Sequence, residues 1–406
     1  MPKHFDVIVV GAGMIGTTSA CLFARQGLRV GLVEIQAVGQ LQTTANGRVS
    51  AINLASSNLF KALEVWPGSD RNHVCPYHSM QVWDQNSPAK ITFEAADLGR
   101  KNLGYIIENQ AIVAAMLAKL QQNYNVAILD SAQVIGIDRH NTKLRLKVIL
   151  SDQEIETRLL VGADGSHSRV RKLCDLETRF SDFGQDAIVT AVSTSLDHQS
   201  TARQCFLETG PVAMLPLADG RCSIVWSCDR EQADELMQLD DLAFCARLQP
   251  LFLSELGEII ECQPRQRFAL GQHHSSRYIA DSVALIGDAA HITHPLAGLG
   301  ANLGFLDAAA LAEVVELAAR HGRDIGQQSV LRRYERWRKG DNALVLGMMK
   351  GFKGIFGSSH ASAKMVRSTG MNLADSIPPL KNTLAKYATG LYGDIPAICQ
   401  RKGGHV

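Results

Sequence analysis

The chain has 406 residues, 46% of them hydrophobic and 20% charged, enough to bury one large α/β core and a second lobe. Its 41 basic and 40 acidic side chains leave a net charge of +1, which gives no general attraction to nucleic acid or to an acidic partner. Nine cysteines without any C-x-x-C point to neither a zinc site nor a disulfide framework, and a reducing compartment is the simplest setting.

Phe5 to Val10, "FDVIVV", is an apolar β-branched run suited to a central parallel strand, and it lies too near the start to leave room for a signal peptide. Gly11, Gly13 and Gly16 then fit G-x-G-x-x-G, with Met14 and Ile15 at the opening of a helix expected from about Ile15 to Gln26. Gly11 permits a tight turn, Gly13 a close approach to a pyrophosphate, and Gly16 close packing of helix on sheet. Gly27 stops the helix, and "RVGLVE" forms a second strand ending on Glu34, the acid expected to meet a ribose. Arg48 in "GRVSAI" reads either as a solvated arginine or as a contact to the cofactor.

From about Cys75 to Gly99 the strand-like pieces "SMQVWD" and "AKITFEA" leave this pattern. "NLGYIIENQAIVAAMLAKLQ" returns to it, with a helix from about Gln110 and Asn109 at its start. "LLVGADGSHSRVR", Leu159 to Arg171, repeats the sequence of strand, glycine and acid with Asp164, although taken alone Asp164-Gly165 reads better as an ordinary turn. Phe180 to Phe268 reads as successive strands of a mostly antiparallel sheet inserted into the cofactor unit. "SVALIG" is a buried strand, followed by "GDAAHITHPLAGLGANLGFLD" from Gly287 to Asp307, a tight acidic turn and a glycine-rich helix start. His291 and His294 lie three residues apart with no third ligand, which favours a structural role over a metal. The tail after about Leu331 is helical, and its methionines and aromatics suit either a core or an anionic surface. No apolar stretch approaches the roughly 18 residues of a membrane span.

Two nucleotide signatures, one at each end, imply a single long dinucleotide cofactor, with its ADP half at Gly13 and its redox ring near Gly298. No cysteine occurs between Glu34 and Lys61, where a flavin disulfide reductase would carry its redox pair. "GAGMIG" with Glu34, "GRVSAI" with Arg48, "GADGSHSRVR" with Asp164 and the Gly287–Asp307 stretch together resemble the flavoprotein aromatic hydroxylases of the para-hydroxybenzoate hydroxylase type. Within them they resemble the ubiquinone-biosynthesis hydroxylases, from Phe5 to about Tyr392. In the last motif His294, Pro295, Ala297, Gly298, Gly300, Asn302, Gly304 and Asp307 match, and Leu299 stands where the family usually has glutamine.

The resemblance implies an α/β fold with a Rossmann-like FAD-binding domain over residues 1–74, 100–179 and 269–340. An inserted, mostly antiparallel substrate domain would span 75–99 and 180–268, and a helical tail 341–406. FAD would touch Gly11, Gly13, Met14, Ile15, Gly16, Glu34, Arg48, Asn109, Asp164, Gly287, Asp288, Gly300, Ala301 and Asn302. Pro295, Gly298, Leu299 and Gly300 would surround the flavin ring, with no acid–base residue and no metal. The chemistry implied is reduction by an external donor such as NAD(P)H, formation of a flavin hydroperoxide with dioxygen, and transfer of one oxygen to a polyprenyl quinol. "RVSAINLASSNLFKALEVW", "PYHSMQVWD" and "LGYIIEN" resemble most the members acting late, on demethoxyubiquinol. A hydroxylase of an earlier polyprenylphenol, a non-catalytic FAD-binding assembly subunit and a geranylgeranyl reductase on the same fold stay open; the Trp-x-Trp-x-x-Ile pattern of a halogenase is absent. The setting implied is cytoplasmic and peripheral to the inner membrane, with the tail from Gly340 to Tyr392 on the membrane surface or on other ubiquinone-biosynthesis proteins. A homo-oligomer is also allowed.

Overall fold

The computed structural model describes residues 4–43, 47–67, 73–86, 90–142, 145–293, 298–356 and 377–400. The apolar run at the start forms the strand His4–Val10, the middle of an eight-stranded sheet. It lies parallel to Val30–Val33 on one side and to Glu154–Gly162 on the other. Val126–Leu129 and Val283–Leu285 extend the parallel set outward. Val7, Ile8 and Val9 are fully buried, as expected of a parallel strand covered on both faces.

The helix Met14–Arg25 follows within one residue of its expected bounds. Every residue from Gly16 to Ala24 is buried, so it has no solvent stripe. It is enclosed by the sheet and by the helices Asn109–Gln121 and Leu299–Arg320. Gly16, Thr17, Thr18, Ser19 and Ala20 are small enough to allow that enclosure.

The second body is a nine-stranded sheet, antiparallel except where Thr201–Phe206 runs parallel to Ser79–Asp84. Its long strand Thr178–Thr194 pairs with both Gln266–Ser275 and Cys222–Asp229. Because side chains alternate across a strand, its two faces differ. Ile188, Ile224 and Trp226 pack under the helices Arg230–Gln238 and Asp241–Leu256. Val189, Ala213, Leu215 and Val225 point the other way and stay partly accessible. A three-stranded sheet of Val49–Asn53, Val74–Tyr77 and Gly104–Glu108 lies between the two bodies. Its Val49 and Ala51 share an apolar cluster with Met80, Phe93 and Leu215 of the nine-stranded sheet. Among the described residues no helix is long and apolar enough to cross a membrane. The nine cysteines are free thiols.

Candidate functional site

The first glycine loop is built by backbone approach. Gly11 adopts φ +100, and a Cβ there would lie 2.5 Å from the carbonyl oxygen of Ala163. A Cβ on Gly16 would lie 1.8 Å from the Gly11 carbonyl oxygen, so the helix can sit this close only with glycine. Gly13 is different: it is extended, exposed, and nothing lies within 4 Å of a Cβ placed on it. Glu34 ends the second strand nearly buried, its Oε2 accepting from Ala12 N–H at 2.7 Å and its Oε1 from Gln36 N–H at 3.0 Å. Each carboxylate oxygen keeps a second lone pair for a ligand.

The second glycine loop meets the first through Ile15. A Cβ on Gly287 (φ +58) would lie 3.2 Å from Ile15 Cγ1, and one on Gly304 would lie 2.8 Å from Ile15 Cδ1. Asp288, next to Gly287, is open to solvent, yet surrounding protein pushes its carboxyl pKa up, with His291 and Arg48 pulling it down. Accessible but crowded describes the floor of a cleft. Arg48 is exposed above it and places its guanidinium 4.9 Å from the centroid of the Phe268 ring, on the nine-stranded sheet.

The helix Leu299–Arg320 begins at Gly298, whose φ of +60 forms its N-cap. A Cβ on Gly298 would stand 3.0 Å from the Ala51 Cβ, which brings this helix start against the three-stranded sheet and its apolar cluster. Asn302 fixes that contact. Its Nδ2 donates to the carbonyls of Ala51 at 2.7 Å and Gly298 at 3.0 Å, and its Oδ1 accepts from Asn53 N–H at 3.0 Å and Ser56 Oγ at 2.9 Å. The first turn carries no acidic side chain, so the positive end of the helix is left for an anion. Gly300 and Ala301 lie in this turn, partly accessible. Leu299 is its first helical residue, while Pro295 and His294 lie outside the described residues.

Two expected cofactor residues are partly accessible and also have protein partners. Asp164 caps the short helix Arg169–Leu173: its Oδ1 accepts from Ser168 Oγ at 2.5 Å and its Oδ2 from the N–H groups of Arg169 and Val170 at 2.6 and 3.0 Å. Asn109 Oδ1 accepts from Ser50 Oγ at 2.6 Å, and its N–H donates to the Arg48 carbonyl at 3.0 Å, so it supports the strand that carries Arg48. Met14 is partly buried against the core and accepts hydroxyl bonds from Thr17 and Thr18. Among the described residues, no group of three or more His, Cys, Asp or Glu could hold a metal.

Sequence reasoning gives no role to three buried residues behind the second loop, although Asp307 is among the motif matches. Arg171 donates to the carbonyls of Ala289 and Ser166, tying the Asp164 loop to the Asp288 turn. His273 is buried with one ring nitrogen unpartnered. Asp307 is fully buried and bonded to His291 and Arg338.

The two glycine loops lie side by side, with Gly287 and Gly304 against Ile15 of the first and Gly298 against Ala51, as a dinucleotide reaching from Gly13 to Gly298 requires. A family model described as "FAD binding domain" matches residues 4–344. The chain belongs to this family. It is 32% identical to the ubiquinone biosynthesis monooxygenase COQ6, mitochondrial, of Danio rerio, over 95% of this chain and 90% of that one. It is 33% identical to the ubiquinone hydroxylase UbiL of Rhodospirillum rubrum (96% and 90% covered) and 30% identical to the 3-demethoxyubiquinol 3-hydroxylase of Escherichia coli (95% and 98% covered). The fold is also that of PqsL, a probable FAD-dependent monooxygenase of Pseudomonas aeruginosa, at a TM-score of 0.76 and 23% identity over 91% of this chain and 99% of that one. The p-nitrophenol 4-monooxygenase PnpA of Pseudomonas putida aligns at 0.77 and 18% identity, covering 96% and 98%. This member of the FAD binding domain family is an FAD-dependent monooxygenase. The residues present fit the cofactor, since Gly13 leaves open the space a Cβ would take and the Leu299 helix offers it a positive end free of acids.

Acid should weaken the fold around this site in two steps. Burial, with help from the Arg171 charge, lowers the His273 pKa from 6.5 to about 4. The folded state then binds fewer protons than the unfolded one between these values, so stability falls as pH drops through that window. Burial raises the Asp307 carboxyl, but the charges and hydrogen bonds of His291 and Arg338 outweigh it and bring the pKa to about 2. Its contribution is present above pH 3.8 and lost as pH falls toward 2. Urea unfolding of the apoprotein should therefore show a loss between pH 7 and 5 that His273→Phe reduces by about 1–2 kcal/mol. Identical losses in the two proteins would show that His273 does not titrate with the fold.

Proposed function

We propose that this chain hydroxylates the ring of a polyprenyl quinol in ubiquinone biosynthesis, and that demethoxyubiquinol is its substrate. The observation that carries the reading is one juxtaposition. The helix start at Gly298–Asn302, the place for the flavin ring, meets Ala51, which packs on the same apolar cluster as Leu215, and Leu215 stands on the sheet face that also carries Val189, Ala213 and Val225. An uncharged ring with a long apolar tail suits that face, and none of these side chains carries a charge. In this reading residues 75–99 and 180–268 form the substrate lobe, and the kinship with the Escherichia coli and Rhodospirillum rubrum enzymes supports the pathway.

Bound FAD supplies the two-electron chemistry and activates dioxygen, with electrons from an external donor such as NAD(P)H. The chain's own residues bind, orient and exclude water. The Gly11–Gly16 loop seats the pyrophosphate, with Glu34 on the ribose and Arg48 and Asp288 on the linking chain. The N–H groups at Gly300, Ala301 and Asn302 lie at the positive end of a 22-residue helix and would favour negative charge on a flavin held there. The apolar sheet face would hold the quinol ring and exclude water from it. The quinol already carries electron-donating oxygens, so the site needs no general base to activate it.

A strain lacking this chain should lose ubiquinone and accumulate demethoxyubiquinone, measured by lipid extraction and mass spectrometry. A polyprenylphenol in its place would assign the enzyme to an earlier ring position. The tail from Gly340 to Tyr392 remains our candidate for approach to the membrane or to partner proteins; residues 357–376 of it lie outside the described residues.

A further inference from the structure

Behind the Asp288 turn lies a set of buried charges that cofactor contact does not explain. The Asp307 carboxylate is fully buried at the centre. Its Oδ2 accepts from the Gly287 N–H at 3.1 Å and pairs with His291 Nε2 at 2.5 Å, gripping both ends of the turn that carries Asp288. Its Oδ1 accepts from Arg338 Nε at 2.8 Å and Asn342 Nδ2 at 3.2 Å. Arg338 is itself 1% exposed, and its remaining donors reach Asn342 Oδ1 at 3.0 Å and Asp341 Oδ2 at 3.1 Å. Arg338 and Asn342 belong to the helix Gln328–Phe356, which has no residue in the cofactor cleft as read above. One turn earlier, Tyr334 donates to the Leu285 carbonyl at 2.7 Å, on the strand that leads into the turn.

Stability alone is a poor reason for such a cluster. Desolvating an arginine and a carboxylate costs about as much as their attraction returns, and an apolar replacement of similar volume is often as stable. What an apolar pair would not provide is an acceptor for the Gly287 N–H and a partner for His291. Those two bonds set the pitch of the turn, and with it the place of Asp288 on the cleft floor.

We propose that Arg338, with Asn342, is a positioning residue for the cofactor: through Asp307 it holds the Gly287–His291 turn in the shape that receives FAD, and so couples the C-terminal helix to the flavin site. The proposal rests on the reading of that turn as a cofactor contact. It makes the first half of the long helix part of the cofactor site, so that a disturbance of this helix changes FAD binding without touching the cleft.

The test is an FAD titration of apoprotein by flavin fluorescence, together with the bound flavin absorption spectrum and the thermal midpoint. Asp307→Leu/Arg338→Met removes both charges and leaves neither alone, so it should fold with a midpoint lowered only by the partners that the Gly287 N–H, His291 and Asn342 lose. Its FAD affinity should nevertheless fall roughly 10–100-fold, the usual effect of losing the residues that orient a ligating group, and the bound spectrum should shift. Asn342→Leu, a smaller change, should fold and weaken FAD about threefold to tenfold by the same route. Arg338→Lys restores the charge with a single point donor and should fall between parent and double variant. If the double variant folds with parental affinity and spectrum, the cluster is structural only and the proposal fails. Should the double variant not fold, parental FAD binding by Asn342→Leu overturns it equally. A parent protein that binds FAD while the turn's own Asp288→Ala leaves affinity unchanged would defeat the underlying reading of the turn and not this coupling.

Discussion

Gly13→Val should give a folded, colourless protein, whereas Gly16→Val should give little folded protein at all. The two glycines belong to one motif and are three residues apart, yet the structure places them in opposite circumstances. Gly13 has an extended backbone that any residue adopts, and nothing stands within 4 Å of an added Cβ. Valine there costs the apoprotein at most about 1 kcal/mol through the helix N-cap preference. The space it fills is the space an FAD pyrophosphate needs, so affinity should fall by on the order of 100-fold or more, since no flexible neighbour can yield. Gly16 faces inward, where an added Cβ would lie 1.8 Å from the Gly11 carbonyl oxygen and 3.3 Å from the Ala163 Cβ. Helix and strand would have to separate along a fully buried contact, at a cost of several kcal/mol. Circular dichroism melting and the flavin-to-protein absorbance ratio separate the two outcomes. Stoichiometric FAD in Gly13→Val would move the pyrophosphate away from this loop.

How much of this was legible follows from which signals are local. The opening unit could be read because a β-branched run, a glycine spacing and a helix stop all lie within thirty residues; the helix came at Met14–Arg25 against an expected Ile15–Gln26. The second loop could be read for the same reason, with the strand Val283–Leu285 and the helix from Leu299 where the pattern put them. Asp164 shows the limit of spacing. Glycine and acid stand where a cofactor residue would, and the carboxylate also accepts from Ser168 and the next two backbone N–H groups, which the spacing does not show. A capping acid and a ligand-binding acid look alike in sequence, because both sit just before a helix.

The Asp307–Arg338 pair was not legible, and its failure is instructive. Arg338 lies in "YERWRKGD", a charged stretch to which sequence reasoning gives no site role. The available signal was its register: Tyr334, Arg338 and Asn342 recur every four residues and share one side of the helix. Tyr334 and Asn342 are both fully buried, which carries Arg338 inside with them. Residues 75–99 and 180–268 are legible as one lobe, but the parallel pairing of Ser79–Asp84 with Thr201–Phe206 inside it is not. A parallel contact across more than a hundred residues is decided by which apolar faces remain after local elements form.

Asn302→Ala should lower the stability of the apoprotein by on the order of 3 kcal/mol and release FAD as well. Asn302 is 2% exposed, and each of its two side-chain groups makes two hydrogen bonds. Removing it strands the Asn53 N–H and the Ala51 carbonyl, both in buried or half-buried backbone, and an unsatisfied buried group costs about 1–3 kcal/mol. Part of the loss is recovered if water enters the gap left by the amide. The effect on FAD follows from geometry: the same amide ties Gly298 and the helix start to the three-stranded sheet, so the positive helix end loses its fixed aim when the tie is cut. Gly300→Ala is the contrasting variant, two residues away in the same turn. Its added Cβ would meet only Thr293 Cγ2, at an ordinary 3.9 Å. Alanine is also the better helix former, so stability should stay level or rise by up to about 1 kcal/mol. Guanidinium unfolding of both apoproteins, repeated at saturating FAD, measures the difference. Equal midpoints for Asn302→Ala and the parent would mean that the four bonds do not hold the helix start, and the flavin ring would need another anchor.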